Sequence, residues 1–151
     1  MEKKVGVFVG SFDPFTIGHD SIVRRALPLF DRLVIGVVGD NVHKPKMASA
    51  EERMEEIKKL YCGDERIEVH PYYGLAVEFA REMGASFIIK GVRSVKDFEY
   101  EREQAEINKK IGGIETILLF AEPQLASISS SMVRELAHFG RDITEFLPKK
   151  K

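Results

Sequence analysis

Two hydrophobic rhythms alternate along this chain. Short apolar runs rich in β-branched residues are followed by longer stretches whose apolar residues recur at helical spacing. Val5–Val9 predicts a first strand and Asp20–Leu27 a first helix. Arg32–Val38 is apolar after its first residue, as suits a strand buried on both faces. Ser49–Glu52 has the spacing of a capping box and opens a helix to Leu60, with Met54, Ile57 and Leu60 on one side. Ile67–His70 predicts a strand. Leu75, Phe79 and Met83 then mark a helix that Gly84 ends. Phe87–Lys90 predicts a fourth strand, and Phe98–Ile111 a charged helix stopped by Gly112 and Gly113. Glu115–Phe120 predicts a fifth strand and Ser129–Phe139 a last helix. A short turn at Ile143–Leu147 leads to a basic tail at 148–151.

Repeated strand–helix units predict an α/β protein: a Rossmann-like fold with a five-stranded parallel sheet and helices on both faces. No stretch reads as a linker, so residues 1–151 are expected to form a single domain. Such sheets bind ligands beyond the carboxyl ends of their strands, near a topological switch. The unusual residues fall there: Ser11–His19, Asp40–Lys46, Tyr73–Ala76, Lys90–Arg93 and Pro123–Ser131 each follow an expected strand.

At 151 residues the chain is long enough to bury a core without staples. A formal net charge of −1 gives no electrostatic case for nucleic acid or a membrane surface, so anion binding must come from local placement of charge. Cys62 is the only cysteine and the four histidines are scattered, which predicts no disulfide and no metal cluster. No signal segment or membrane-length apolar run is recognised, and a cytoplasmic location is expected.

Chemistry concentrates in Gly10–His19. A glycine-containing turn between a first strand and a first helix is a common phosphate site, and here it carries His19 to the helix start. A protonated imidazole there can donate to a phosphate oxygen, its pKa lowered by the helix end and raised again by a bound polyphosphate. Asp13, before Pro14, reads mainly as a turn former and helix cap. Gly10 and Gly18 are expected to allow close approach, at the phosphate and at a helix–strand contact respectively. Ser129, Ser130 and Ser131 open the last helix with hydroxyls and free amides, and Arg134 follows one turn later. Lys90, Arg93 and Lys44 are basic residues in post-strand segments and suit a substrate with several phosphates. His70 and His138 are expected to be structural or at the surface.

At these residues the chain resembles the nucleotidyltransferase superfamily with the His-x-Gly-His type signature, here Thr16-Ile17-Gly18-His19, with Ile128–Ser131 as the second signature. More closely it resembles bacterial phosphopantetheine adenylyltransferases. The shared segments are Gly10–Pro14, Glu51–Arg53, Gly91–Arg93, Asp97–Glu101, Ile128–Ser131 and Phe146–Pro148. The resemblance implies transfer of the adenylyl group of ATP to 4′-phosphopantetheine, giving dephospho-coenzyme A and pyrophosphate by direct attack. It makes His19 and Lys44 catalytic. It assigns ATP to Ser11, Phe12, His19, Gly91, Val92, Arg93, Glu101, Leu125, Ala126, Ser127, Ile128, Ser129, Ser130 and Ser131. It assigns the acceptor to Ser11, Lys44, Ala76 and Lys90. It further implies Mg²⁺ with ATP, a homohexamer, and feedback inhibition by coenzyme A.

Some positions depart from the family pattern. Ser11 stands where many relatives have threonine, and the hydroxyl survives. Lys90 replaces a common arginine, keeping charge but losing a bidentate fork. Leu125–Ser127 replaces a more aromatic stretch. Lys44 is preferred over Lys46 for the acceptor. Two other readings stay open at this level: another nucleotidyltransferase of the superfamily, or a catalytically silent nucleotide-binding module.

Overall fold

The first apolar run becomes the central strand, β1 (Val5–Gly10), and its alternation explains the layers around it. Phe8 points to one face, Val5, Val7 and Val9 to the other, and all four are buried. The computed structural model describes residues 3–39 and 48–149. Among these, β2 (Arg32–Val38), β3 (Ile67–Tyr72), β4 (Phe87–Val92) and β5 (Glu115–Phe120) join β1 in one parallel sheet of order β3-β2-β1-β4-β5.

On the Phe8 face lie α1 (Ile17–Ala26) and α2 (Ala50–Tyr61), which bury Ile22, Val23, Ala26 and Ile57 against Leu33, Ile35, Val37 and Ile89. On the other face α3 (Ala76–Glu82) packs Val77, Phe79 and Ala80 against Val7, Val34 and Ile88. Each such side chain contributes about 1.5–3 kcal/mol through burial. α4 (Val95–Gly112) buries no residue fully, as expected of its charged sequence. α5 (Ser130–His138) buries Val133. No helix among the described residues is long and apolar enough to cross a membrane.

Capping chemistry moves several boundaries. α1 starts at Ile17 rather than Asp20, because Thr16 caps it. α4 starts at Val95 rather than Phe98, because the Ser94 hydroxyl accepts from the Asp97 amide at 3.2 Å. Leu75 lies outside its helix as the N-cap residue of α3 and is half exposed. β4 runs on through Lys90, Gly91 and Val92, which pair with Leu118, Leu119 and Phe120 of β5, so only Arg93 of the expected post-strand segment follows the strand. At the other end Gly113 stops α4 at φ 70, the left-handed conformation that glycine adopts without a Cβ penalty.

The strand order reverses at β1. From it β2 and β3 run outward on one side, and β4 and β5 on the other. The carboxyl ends of β1 and β4 therefore diverge into a crevice at the topological switch.

Candidate active site

The crevice begins with the turn after β1. Phe12 adopts φ 51, uncommon for a non-glycine residue, and its ring is buried. A Cβ on Gly10 would stand 3.0 Å from that ring, so the bare backbone at Gly10, which also lines the crevice, accommodates Phe12. The Asp13 carboxylate accepts from the Ala48 amide at 3.1 Å. It fastens the turn to the start of α2 and does not cap α1. Thr16 is the cap, and its Oγ1 accepts from the His19 amide at 3.4 Å.

The reverse bond decides the chemistry of His19. The Thr16 backbone N–H donates to Nδ1 at 2.9 Å. A backbone amide can only donate, so Nδ1 holds a lone pair and the ring proton sits on Nε2. Phe12 meets the imidazole edge-on at 5.0 Å between ring centres, and Phe15 lies at 5.3 Å. Burial among these rings, followed by the Arg93 charge, lowers the imidazole pKa from 6.5 to about 4. The lowering expected for the empty site is therefore present, with burial and not the helix end as its largest cause, and the ligand-free imidazole is neutral with Nε2–H as its donor.

α5 faces this loop from across the crevice. The Ser129 hydroxyl accepts from the Met132 amide at 3.1 Å and caps the helix. The Ser130 hydroxyl donates to the Pro14 carbonyl at 2.8 Å. Arg134 donates to the Asp13 carbonyl at 2.6 Å and to the Ser131 hydroxyl at 3.2 Å. The serines and the arginine therefore bind the two signatures together. What α5 offers an anion is the first-turn amides of Ser130 and Ser131, which precede any intrahelical acceptor.

The third wall comes from β4 and α4. Lys90 Nζ lies 3.5 Å from Glu101 Oε2, and the Arg93 guanidinium 3.3 Å from the Asp97 carboxylate. Gly91 serves the helix–strand contact expected of Gly18: a Cβ there would reach Ile22 of α1 at 3.1 Å. Gly18 instead lies on the crevice, 3.4 Å from Thr16 Oγ1 by the same measure.

Together these walls enclose about 630 Å³, the size of a small-molecule site. Ser11, Phe12, His19, Lys90, Gly91, Val92, Arg93, Glu101, Leu125, Ile128, Ser129, Ser130 and Ser131 all line it. Ala126 and Ser127 do not: they form the turn before α5, and Ser127 is exposed. Ala76 opens α3 after the edge strand β3, packs against the core on the α3 face and is not among the crevice-lining residues. Lys44, with His43 and Lys46, lies outside the described residues. His70 sits in β3 with Nε2 3.0 Å from Glu68, and His138 ends α5 against Phe139.

Sequence reasoning passed over several of these side chains. Phe15 packs on His19, and Asp97 pairs with Arg93. Arg53 is only 3% exposed although it lies in a helix of glutamates and lysines. A signal for Arg53 was present, since Ala50, Arg53 and Ile57 share helical spacing and form the buried stripe of α2.

Among the described residues no group of three or more His, Cys, Asp or Glu side chains converges to hold a metal. Asp97 and Glu101, the acidic residues lining the crevice, are both turned toward cations. The donor set does not fit a resident Mg²⁺, an ion that usually binds through substrate phosphates and water.

The switch of this doubly wound sheet thus gathers an imidazole donor, a serine-led helix start and paired cations. Residues 7–136 match the cytidylyltransferase-like family model. Solved structures share the fold. A nicotinate-nucleotide adenylyltransferase assigned in Vibrio parahaemolyticus matches with a TM-score of 0.67 at 15% identity, covering 98% of this chain and 95% of that one. A lipopolysaccharide core biosynthesis protein from Thermoplasma volcanium matches with a TM-score of 0.58 at 21% identity, covering 80% and 98% respectively. Among curated proteins, the phosphopantetheine adenylyltransferase of Phocaeicola vulgatus is 54% identical over 95% of this chain and 94% of its own length. That of Porphyromonas gingivalis is 46% identical over 99% and 97%. The chain belongs to the phosphopantetheine adenylyltransferase family.

Proposed function

We propose that this protein transfers the adenylyl group of ATP to 4′-phosphopantetheine, forming dephospho-coenzyme A and pyrophosphate. Family membership supports the substrates. The observation that carries the mechanism is the tautomer of His19, held with its Nε2–H donor among cationic and amide-lined walls. In this reading an oxygen of the acceptor phosphate forms a bond to the α-phosphorus of ATP. The bond from that phosphorus to the bridging oxygen breaks, and pyrophosphate leaves with the electron pair. No side chain forms a covalent intermediate. Charge grows on phosphoryl oxygens, where a neutral N–H donor and fixed amides stabilise it without reorganising. Lys90 and Lys44 draw the acceptor phosphate towards the nucleotide.

Magnesium enters this reading on ATP as part of the substrate, and no step is assigned to it. Coenzyme A shares the pantetheine and adenylyl parts of the product and would compete for the same crevice, which is the basis for feedback inhibition. Apolar side chains left open on α4, among them Val95, Tyr100, Ile107 and Ile111, together with Phe120 of β5, support self-association as a homohexamer. A cytoplasmic location fits an enzyme that consumes ATP.

Pyrophosphate release from MgATP, with and without 4′-phosphopantetheine, tests the reading. Release should require the acceptor, and His19→Ala should lower kcat roughly 10²–10³-fold. ATP binding with no release under any acceptor would identify a silent binding module instead. A labelled protein adduct trapped after incubation with ATP would overturn direct transfer.

A further inference from the structure

Arg53 is a buried arginine in α2, on the opposite side of the catalytic turn from the crevice. Its guanidinium donates to the Ser11 carbonyl at 2.6 Å, to the Val38 carbonyl at 3.0 Å and, through Nε, to the Ala48 carbonyl at 3.1 Å. The end of β1, the end of β2 and the start of α2 thus meet on one planar cation. Ala48 is gripped at both ends, since its amide donates to Asp13.

The Ser11 carbonyl belongs to the peptide that leads into Phe12, the residue at φ 51. A bulky side chain in this region persists only where its surroundings over-determine it. Those surroundings are visible: Arg53 holds the Ser11 carbonyl before Phe12, and after it Arg134 holds the Asp13 carbonyl and Ser130 the Pro14 carbonyl. Phe12 in turn abuts the His19 ring edge-on. Arg134 and Ser130 belong to the crevice wall. Arg53 is not among the crevice-lining residues and reaches the crevice through the turn.

We propose that Arg53 is a positioning residue for the adenylyl transfer: it locks the Ser11–Phe12 peptide in its left-handed turn, and through the Phe12 ring it sets the orientation of His19. The proposal rests on the function proposed above, and its geometric half can be read without any substrate. Lysine cannot replace the fork, because a point charge does not span divergent carbonyls in one plane.

The test is Arg53→Lys, read in three ways. In the ligand-free protein, NMR couplings and shifts report the positive φ of Phe12 and the Nδ1-acceptor tautomer of His19. Both signatures should be lost or averaged in the variant, while its circular dichroism matches wild type. In turnover, kcat should fall roughly 10–100-fold, as expected for a misplaced catalytic group, with KM for MgATP changed less. Should lysine prevent folding, Arg53→Ala with added methylguanidinium supplies the second arm: a concentration-dependent return of the Phe12 and His19 signals is expected. A variant that keeps both signals and wild-type kcat while melting earlier would overturn the proposal and leave Arg53 a purely structural strut. Absence of guanidinium rescue in a folded alanine variant would overturn it too. Wild type that shows both signals without transferring adenylyl groups would instead sink the function and leave the Arg53 geometry standing.

Discussion

Thr16 and His19 hold each other in reciprocal fashion: the Thr16 amide donates to His19 Nδ1, and Thr16 Oγ1 accepts from the His19 amide. One half of this box caps a helix. The other sets a tautomer. The shorter bond to Nδ1 comes from the backbone at 2.9 Å, with the Thr16 hydroxyl a second partner at 3.2 Å, so the tautomer keeps its principal donor when the hydroxyl is removed. Thr16→Val should therefore lower stability by about 1 kcal/mol, the usual worth of a cap, and leave kcat within a few-fold of wild type. Urea unfolding and steady-state kinetics check both. A kcat loss comparable to that of His19→Ala would show that the hydroxyl itself orients the ring.

Stability should carry the mark of His19 in acid. Its imidazole titrates near 4 in the folded protein against 6.5 ordinarily. Between those values the unfolded chain takes up a proton that the folded one refuses, so stability rises with pH across that window. The contribution is complete above pH 6.5, declines as pH falls, and is gone below about 4, where both states are protonated. The span is up to about 3 kcal/mol. Unfolding free energies measured between pH 4 and 7 should show this slope in wild type and a shallower one in His19→Gln.

The Lys90–Glu101 pair joins the end of β4 to α4, with Glu101 Oε2 buried beside the lysine. Lys90→Met strands that oxygen away from water and should cost about 1–3 kcal/mol. Adding Glu101→Leu removes the stranded group and should recover part of the loss. Lys90→Arg should keep stability and lower KM for the acceptor, since a fork grips a phosphate in two places. Denaturation and acceptor titrations separate these effects.

Away from the crevice, Gly36 of β2 leaves room for the Phe79 ring of α3, and an added Cβ would overlap that ring. Gly36→Ala should destabilise by about 1–3 kcal/mol through overpacking and leave KM for ATP unchanged. A neutral effect on melting would mean that α3 shifts freely.

Much of the architecture was legible because local rules and tertiary demands agree. The unbroken apolar run at Leu33–Val38 needs cover on both faces, and it lies next to the central strand. Boundaries were less legible. A threonine two residues before a glycine does not announce a cap until its reciprocal histidine bond is seen, so α1 begins earlier than its apolar pattern suggests. The serines after Ile128 showed a similar ambiguity: their pattern offered both hydroxyls and amides to an anion, and only the structure shows the Ser129 hydroxyl engaged as the helix cap and that of Ser130 on the turn.

The sequence by itself determined the alternation of strands and helices, the parallel class of the sheet, and which short segments were candidates for chemistry. These depend on spacing, turn residues and caps, which act over a few positions. Only the tertiary structure decided the protonation of His19, the burial of Arg53 and the pairing of Lys90 with Glu101. Each depends on groups far apart in the chain. Burial and Coulomb forces act on atoms that are close in space, and the sheet order that brings β1 beside β4 is what makes them close.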